Sequence, residues 1–205
     1  MTDKQSAYWQ NVYATKDYDE VSWFEESPAL SPELIAAAYA GHGGVIDIGG
    51  GASRLAGVLV EAGYAPVAVL DLSANALAVA KARLGQVAVS IEWIIADVTQ
   101  WHPARQYDVW HDRAAFHFLT GQVQQQAYAQ ALRTALNPGG IAIIGTFAPD
   151  GPERCSGLPV VRHDAASIAA VLGEGFDLLS EQKHEHVTPG GSVQKFQFST
   201  FRRTA

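Results

Sequence analysis

The segment Val45-Ile46-Asp47-Ile48-Gly49-Gly50-Gly51-Ala52-Ser53 constrains the fold more than any other part of the chain. Its first four residues read as a buried strand, and the glycines that follow weaken any continuation of it. Leu55, Val58, Leu59 and Ala62 then recur at helical spacing, and Gly63 ends that helix. A strand that passes through a glycine loop into a helix is the opening of an α/β unit. Glycines adopt positive φ and let a ligand approach the backbone closely. On its own such a loop also suits a plain tight turn.

The pattern repeats downstream. Val67 to Leu70 reads as a second strand, and Ser73 caps a helix through Leu77, Ala80 and Leu84 to Gly85. Ile91 to Ile95 and Tyr107 to His111 are the next strands, followed by a helix from Val123 to Leu136. Asn137-Pro138-Gly139-Gly140 reads as a turn before a fifth strand, Ile141 to Thr146. Phe176 to Lys183 and Gln194 to Phe201 read as strands with no helix between them, joined at Thr188-Pro189-Gly190-Gly191-Ser192. The expected fold is α/β: a doubly wound, mostly parallel seven-stranded sheet with helices on both faces and a C-terminal antiparallel hairpin. The 205 residues suffice for one domain, read as 1–205. Residues 1–40 are set apart by aromatics (Tyr8, Trp9, Tyr13, Tyr18, Trp23, Phe24 and Tyr39) and by a helix start at Ser31-Pro32-Glu33, with Ser31 as N-cap and Leu34, Ile35 and Ala38 on the buried face. They are expected to form a helical lid or cap.

Composition narrows the function. The net charge is -7 and no Lys/Arg cluster occurs, which disfavours a nucleic-acid partner. A single cysteine, Cys155, excludes an internal disulfide and a Cys-x-x-Cys metal site. The N-terminal residues Met1 to Ser6 are polar rather than signal-like, and no apolar run reaches the ~18 residues of a membrane span. A cytoplasmic protein without membrane association is expected.

Two acids follow the glycine loop at strand ends. Asp71 lies about 20 residues beyond it, where a carboxylate accepts hydrogen bonds from ribose hydroxyls. Asp97, in Ile94-Ile95-Ala96-Asp97-Val98, is placed to meet an adenine amine. Either acid alone also suits a helix cap or a turn. Together with Tyr107-Asp108-Val109-Trp110 and Pro138-Gly139-Gly140, the arrangement resembles the class I (seven-β-strand, Rossmann-like) S-adenosylmethionine (SAM)-dependent methyltransferases over roughly residues 40 to 202. The resemblance implies SAM as cofactor and S-adenosylhomocysteine as product. It implies Gly49, Gly50 and Gly51 beside the methionyl part, Asp47 toward the cofactor's amino group, Asp71 with Leu72 at the ribose, and Asp97 with Val98 at the adenine. Ser53 stands where the family often has a further glycine. An NAD-dependent dehydrogenase is the competing reading, but Arg54 occupies the last glycine position of the dinucleotide fingerprint.

The acceptor is expected near the residues after the fourth strand, Trp110-His111-Asp112-Arg113-Ala114-Ala115-Phe116-His117-Phe118. Methyl transfer needs alignment and exclusion of water, with help from deprotonation of the nucleophile. His111-Asp112-Arg113 resembles a segment shared by thiopurine and thiol methyltransferases and by seven-stranded lysine methyltransferases. The Asp-Pro-Pro-Tyr of DNA amino methyltransferases is absent. The leading reading is a small-molecule acceptor, a thiol or other chalcogen nucleophile. In it Arg113 stabilises a thiolate, and His117 or His111 takes the proton. In the alternative, a protein lysine N-methyltransferase, Asp112 orients the amine. A non-catalytic SAM-binding module is the third. Asp112 and Arg113 also suit a structural ion pair, and both histidines ordinary semi-buried positions. Trp23, Phe116, Thr146, Arg154 and Cys155 are expected to line the substrate site, with Arg154 lowering the Cys155 pKa from a long loop, Thr146 to Pro159. His184, His186 and His163 lack an evident further ligand, so no metal site is expected.

Overall fold

The computed structural model describes residues 3–15, 18–28 and 30–204. Residues 1, 2, 16, 17 and 29 of the expected cap therefore lie outside the described residues, as does part of the polar N-terminal stretch. In chain order the elements are α1 (Asp3–Thr15), α2 (Leu30–Ala38), β1 (Val45–Ile48), α3 (Leu55–Glu61), β2 (Val67–Asp71), α4 (Ala74–Leu84), β3 (Ile91–Ile95), β4 (Tyr107–Arg113), α5 (Gln122–Ala135), β5 (Leu136–Phe147), β6 (Arg154–Cys155), β7 (Leu158–Pro159), α6 (Ala165–Leu172), β8 (Phe176–Val187) and β9 (Val193–Arg203). Single-turn 3₁₀ segments include Phe116–Phe118, directly after β4.

Seven strands form one sheet in the order β3-β2-β1-β4-β5-β9-β8. The first five run parallel, and β9 inserts antiparallel between β5 and β8. Every residue of β1 is buried, as a central parallel strand requires. Alternation along the strands makes two core layers. Ile46, Ile48, Trp110 and Ile144 pack toward α5 and α6, while Val45, Val67, Val109 and Ile143 pack toward α2, α3 and α4. Among the described residues no helix is long and apolar enough to cross a membrane.

Several local expectations need correction. α2 begins at Leu30, so Ser31 lies inside its first turn rather than capping it, and Ser31 is buried. Asn137 to Gly140 do not precede the fifth strand but bulge within it: Tyr107 pairs with Leu136 and Val109 with Ile141. α6 was not expected. Its signals are a capping box, in which the Asp164 carboxylate accepts the Ser167 N–H at 2.8 Å, and the buried pair Ile168 and Leu172. The long loop after β5 carries a small hairpin, β6–β7.

Candidate active site

The chain leaves β1 for β2 and β3, then returns to β4 on the other side of β1. Such a reversal opens a crevice at the carboxyl ends of the strands. Here a cavity lies in it, lined mostly by apolar side chains. Ile48 and Gly49 contribute from β1 and its loop. Asp71, Leu72, Ala96 and Val98 line the end that belongs to β2 and β3, and Arg113, Phe118 and Cys155 line the end that belongs to β4 and β5. Trp9, Tyr13 and Trp23 line it from the N-terminal segment.

The glycine loop is a cradle that a side chain would fill. Gly49 has φ +67°, and a Cβ there would sit 2.6 Å from the Ala115 Cβ. Gly51 has φ +44°, and its Cβ would come within 3.0 Å of Asp71 Oδ2. Asp71 Oδ1 accepts the Ser73 N–H at 2.7 Å. Burial pushes this carboxyl up to about 7, against the pull of the Ser73 N–H; Asp47 adds to the rise, and the Gly51 and Leu72 amides oppose it. Asp97 is turned otherwise: its Oδ1 accepts both the Thr99 N–H (2.9 Å) and the Thr99 hydroxyl (2.7 Å), while its neighbours Ala96 and Val98 face the cavity.

A second, more polar crevice adjoins the first and shares Gly49, Tyr13, Trp23 and Arg113 with it. Asp47 and His111 are register partners on β1 and β4, so their side chains meet on the face that carries α2. His111 Nδ1 lies 2.7 Å from Asp47 Oδ1, and His111 Nε2 lies 2.9 Å from Ser31 Oγ. Arg113, two residues on, points to the same face. Its Nη1 donates to the Trp23 carbonyl at 3.0 Å, its Nη2 lies 2.9 Å from Glu25 Oε1, and the guanidinium stands 5.1 Å from the Phe196 ring centre. The Arg113 Nε is buried and has no hydrogen-bond partner among the described residues.

The expected site residues thus separate. Asp47, Gly49, Gly50, Asp71, Leu72, Val98, His111, Arg113, Trp23 and Cys155 line one or both cavities. Asp112 does not. Its carboxylate faces the opposite core layer, where it accepts the N–H groups of Ala115 (2.9 Å) and Phe116 (3.1 Å) and the Tyr128 hydroxyl (2.8 Å). Fully buried on that side, it faces away from both cavities. His117 is fully buried against Phe118 and Phe147 and accepts the Phe147 N–H; burial drives it down to about 3, so it stays neutral and away from the cavity. Phe116 packs against Tyr128 and His163 in the core, and the Thr146 side chain is fully buried. Arg154 is exposed and donates to the Gly157 carbonyl at 2.6 Å. It therefore does not activate Cys155, whose thiol is pushed up to about 12 by burial, with Arg113 the opposing charge.

Two of the aromatics expected in the cap reach the site: Trp9 and Tyr13 are four apart on α1 and so share one face. Tyr13 receives the Trp23 indole N–H at 3.1 Å, and burial raises its hydroxyl pKa. The Tyr8 hydroxyl bonds the Ser156 carbonyl, and Gln10 bonds Ser73 and Asn75, so α1 spans from the β6–β7 loop to the start of α4. Phe118, from the segment after β4, lines the cavity, and Ser31, expected only as a helix cap, meets His111 instead.

Residues 45–140 match a family described as a methyltransferase domain. No curated protein matches the sequence. Solved structures of similar fold include one from work on the conversion of a disulfide bond into a thioacetal group during echinomycin biosynthesis (20% identity, 98% of this chain and 92% of that one, TM-score 0.78). Another is 1,6-didemethyltoxoflavin-N1-methyltransferase of Burkholderia thailandensis, crystallised with 1,6-didemethyltoxoflavin and S-adenosylhomocysteine (19% identity, 98% and 90% covered, TM-score 0.74). A third is the N-methyltransferase NodS of Bradyrhizobium japonicum WM9, in complex with S-adenosylhomocysteine (16% identity, 98% and 99% covered, TM-score 0.71). Residues 45–140 thus match a methyltransferase domain, and the strand order and glycine cradle belong to the fold shared with these SAM-dependent methyltransferase structures.

Proposed function

We propose that this methyltransferase acts on a small acceptor that ionises without an enzyme base, a thiol or another chalcogen nucleophile. One observation carries the reading. Among the described residues lining the main cavity there is no imidazole, and its one carboxylate, Asp71, stands at the β2 end away from Arg113 and Cys155. A free thiol, with a pKa of about 8.5, already holds a few per cent thiolate near neutral pH. A lysine amine, near 10.4, requires a base or a carboxylate, and Asp112 is committed elsewhere. Arg113 supplies a positive charge that favours the thiolate. The aromatic side chains of Trp9, Trp23 and Phe118 keep water from the reacting atoms.

The residues fit the cofactor. Asp71 and Leu72 suit the ribose, Asp97 and Val98 flank the adenine, the Gly49–Gly51 cradle admits the methionyl chain, and Asp47 suits its ammonium group. When bound, SAM would supply an electrophilic methyl group on its sulfonium; the acceptor thiol would lose its proton to solvent before the aromatic side chains close over it, and Arg113 would favour the thiolate that accepts the methyl. Residues 1–40 act as the cap of a single domain in this reading. Neighbours described as acting on small molecules, such as the toxoflavin-precursor enzyme, agree with a small acceptor.

Methyl-labelled SAM, offered with a panel of small thiols and separately with a cell extract, tests this. Label in low-mass thioethers is expected. Label confined to a protein band would replace the reading with the lysine one.

A further inference from the structure

Asp47, His111 and Ser31 form a buried chain that ends at the cofactor crevice. Their exposures are 3%, 2% and 3%, so no water competes for these bonds. His111 Nδ1 lies 2.7 Å from Asp47 Oδ1 and His111 Nε2 lies 2.9 Å from Ser31 Oγ, so one imidazole bridges the carboxylate and the hydroxyl. The order of atoms is that of a nucleophilic serine triad. Ser31, however, sits buried within the first turn of a helix.

The other carboxylate oxygen, Oδ2, lies against the glycine loop. A Cβ added to Gly50 would lie 2.4 Å from Asp47 Oδ2, so the loop is glycine there because the carboxylate occupies that space. We infer that His111 and Ser31 are positioning residues for the amino-acid end of the cofactor: they fix the Asp47 carboxylate through Oδ1 and present Oδ2 to the ammonium group. Because Ser31 belongs to α2, the chain also ties the N-terminal cap to the occupancy of that end. The inference rests on the placement of the ammonium group at Asp47 proposed above.

The test compares S-adenosylhomocysteine with 5′-methylthioadenosine, which keeps the nucleoside and thioether but lacks the amino-acid end. Dissociation constants are measured for the wild type and for Ser31→Ala, Ser31→Thr, His111→Asn and Asp47→Asn. Ser31→Ala and His111→Asn are expected to weaken S-adenosylhomocysteine by about fivefold to tenfold and 5′-methylthioadenosine by less than about twofold, with Ser31→Thr restoring the difference. Asp47→Asn is expected to abolish most of the preference. If Asp47→Asn abolishes it while Ser31→Ala and His111→Asn lower both ligands equally or neither, the positioning role is overturned and the cofactor placement stands. If Asp47→Asn leaves the preference intact, the placement itself fails, and the inference with it.

Discussion

The Ala115 methyl stands 2.6 Å from where a Cβ on Gly49 would be, so the turn after β1 and the segment after β4 close on each other through a missing side chain. Gly49→Ala must both strain a φ of +67° and displace Ala115. A residue forced into that backbone region costs about 1–3 kcal/mol. SAM affinity is expected to fall by about tenfold or more, since the loop borders the cavity. Gly85→Ala is the control: it carries a φ of +55° but has nothing within 4 Å of the added methyl. It should lower the melting temperature and leave SAM affinity unchanged in a calorimetric titration.

Asp71 gives the cofactor site a pH dependence. In the cofactor-free protein its pKa is about 7, through burial. Ribose hydroxyls donate to the charged form, so below that pKa binding must first expel a proton. SAM affinity is expected to fall by up to about tenfold per pH unit below about pH 7 and to level off above it. Asp71→Asn should bind weakly, with that dependence removed. Wild-type and variant affinities that change in parallel with pH would contradict this assignment.

Asp112 is expected to serve stability. Burial raises it from 3.8 to about 6, while its N–H and O–H donors hold it down. A raised folded-state pKa stabilises the fold below the ordinary carboxylate value, and that contribution is lost as pH rises through about 6. The stability of the wild type relative to Asp112→Asn should therefore increase as pH falls from about 8 to about 4. His117, held neutral, acts in the opposite direction over part of this range but does so in both proteins. Urea unfolding curves that stay a fixed distance apart would remove the assignment.

Arg113 and Cys155 divide cofactor from acceptor. Arg113→Ala is expected to lower turnover by about tenfold or more while SAM affinity moves by less than about threefold. Lost SAM binding would instead assign the guanidinium to the cofactor's carboxylate. Cys155→Leu, which enlarges the buried side chain at the same end, should raise KM for bulky thiols more than for small ones; equal effects on both would place the acceptor elsewhere.

The sheet was legible because Val67 to Leu70 and Ile141 to Ile144 are apolar runs, Val45-Ile46-Asp47-Ile48 is broken by one acid only, and the glycine loop has few other uses. The hairpin followed from the absence of helical spacing between Phe176 and Phe201. The acceptor side was harder to read. The segment after β4 concentrates His111, Asp112, Arg113 and His117, and residue type alone suggested one cluster. Strand alternation divides it: His111 and Arg113 face α2 and the cap, whereas Asp112 turns with Trp110 toward Tyr128. That parity was available in the sequence. The fate of His117 was not, because the single turn at Phe116–Phe118 that buries it has no period to read. Ser31 was hidden for a similar reason: a serine before a proline suits an N-cap as well as the buried first turn it occupies, and only the β1–β4 register brings His111 to it.

The claim that the acceptor supplies its own ionisation is tested most directly by pH–rate profiles for a series of thiols of differing acidity. The account predicts that kcat/KM rises with pH at saturating SAM and that its upper inflection follows each thiol's own pKa. An inflection fixed at one pH for every thiol would reveal an enzyme base and contradict it.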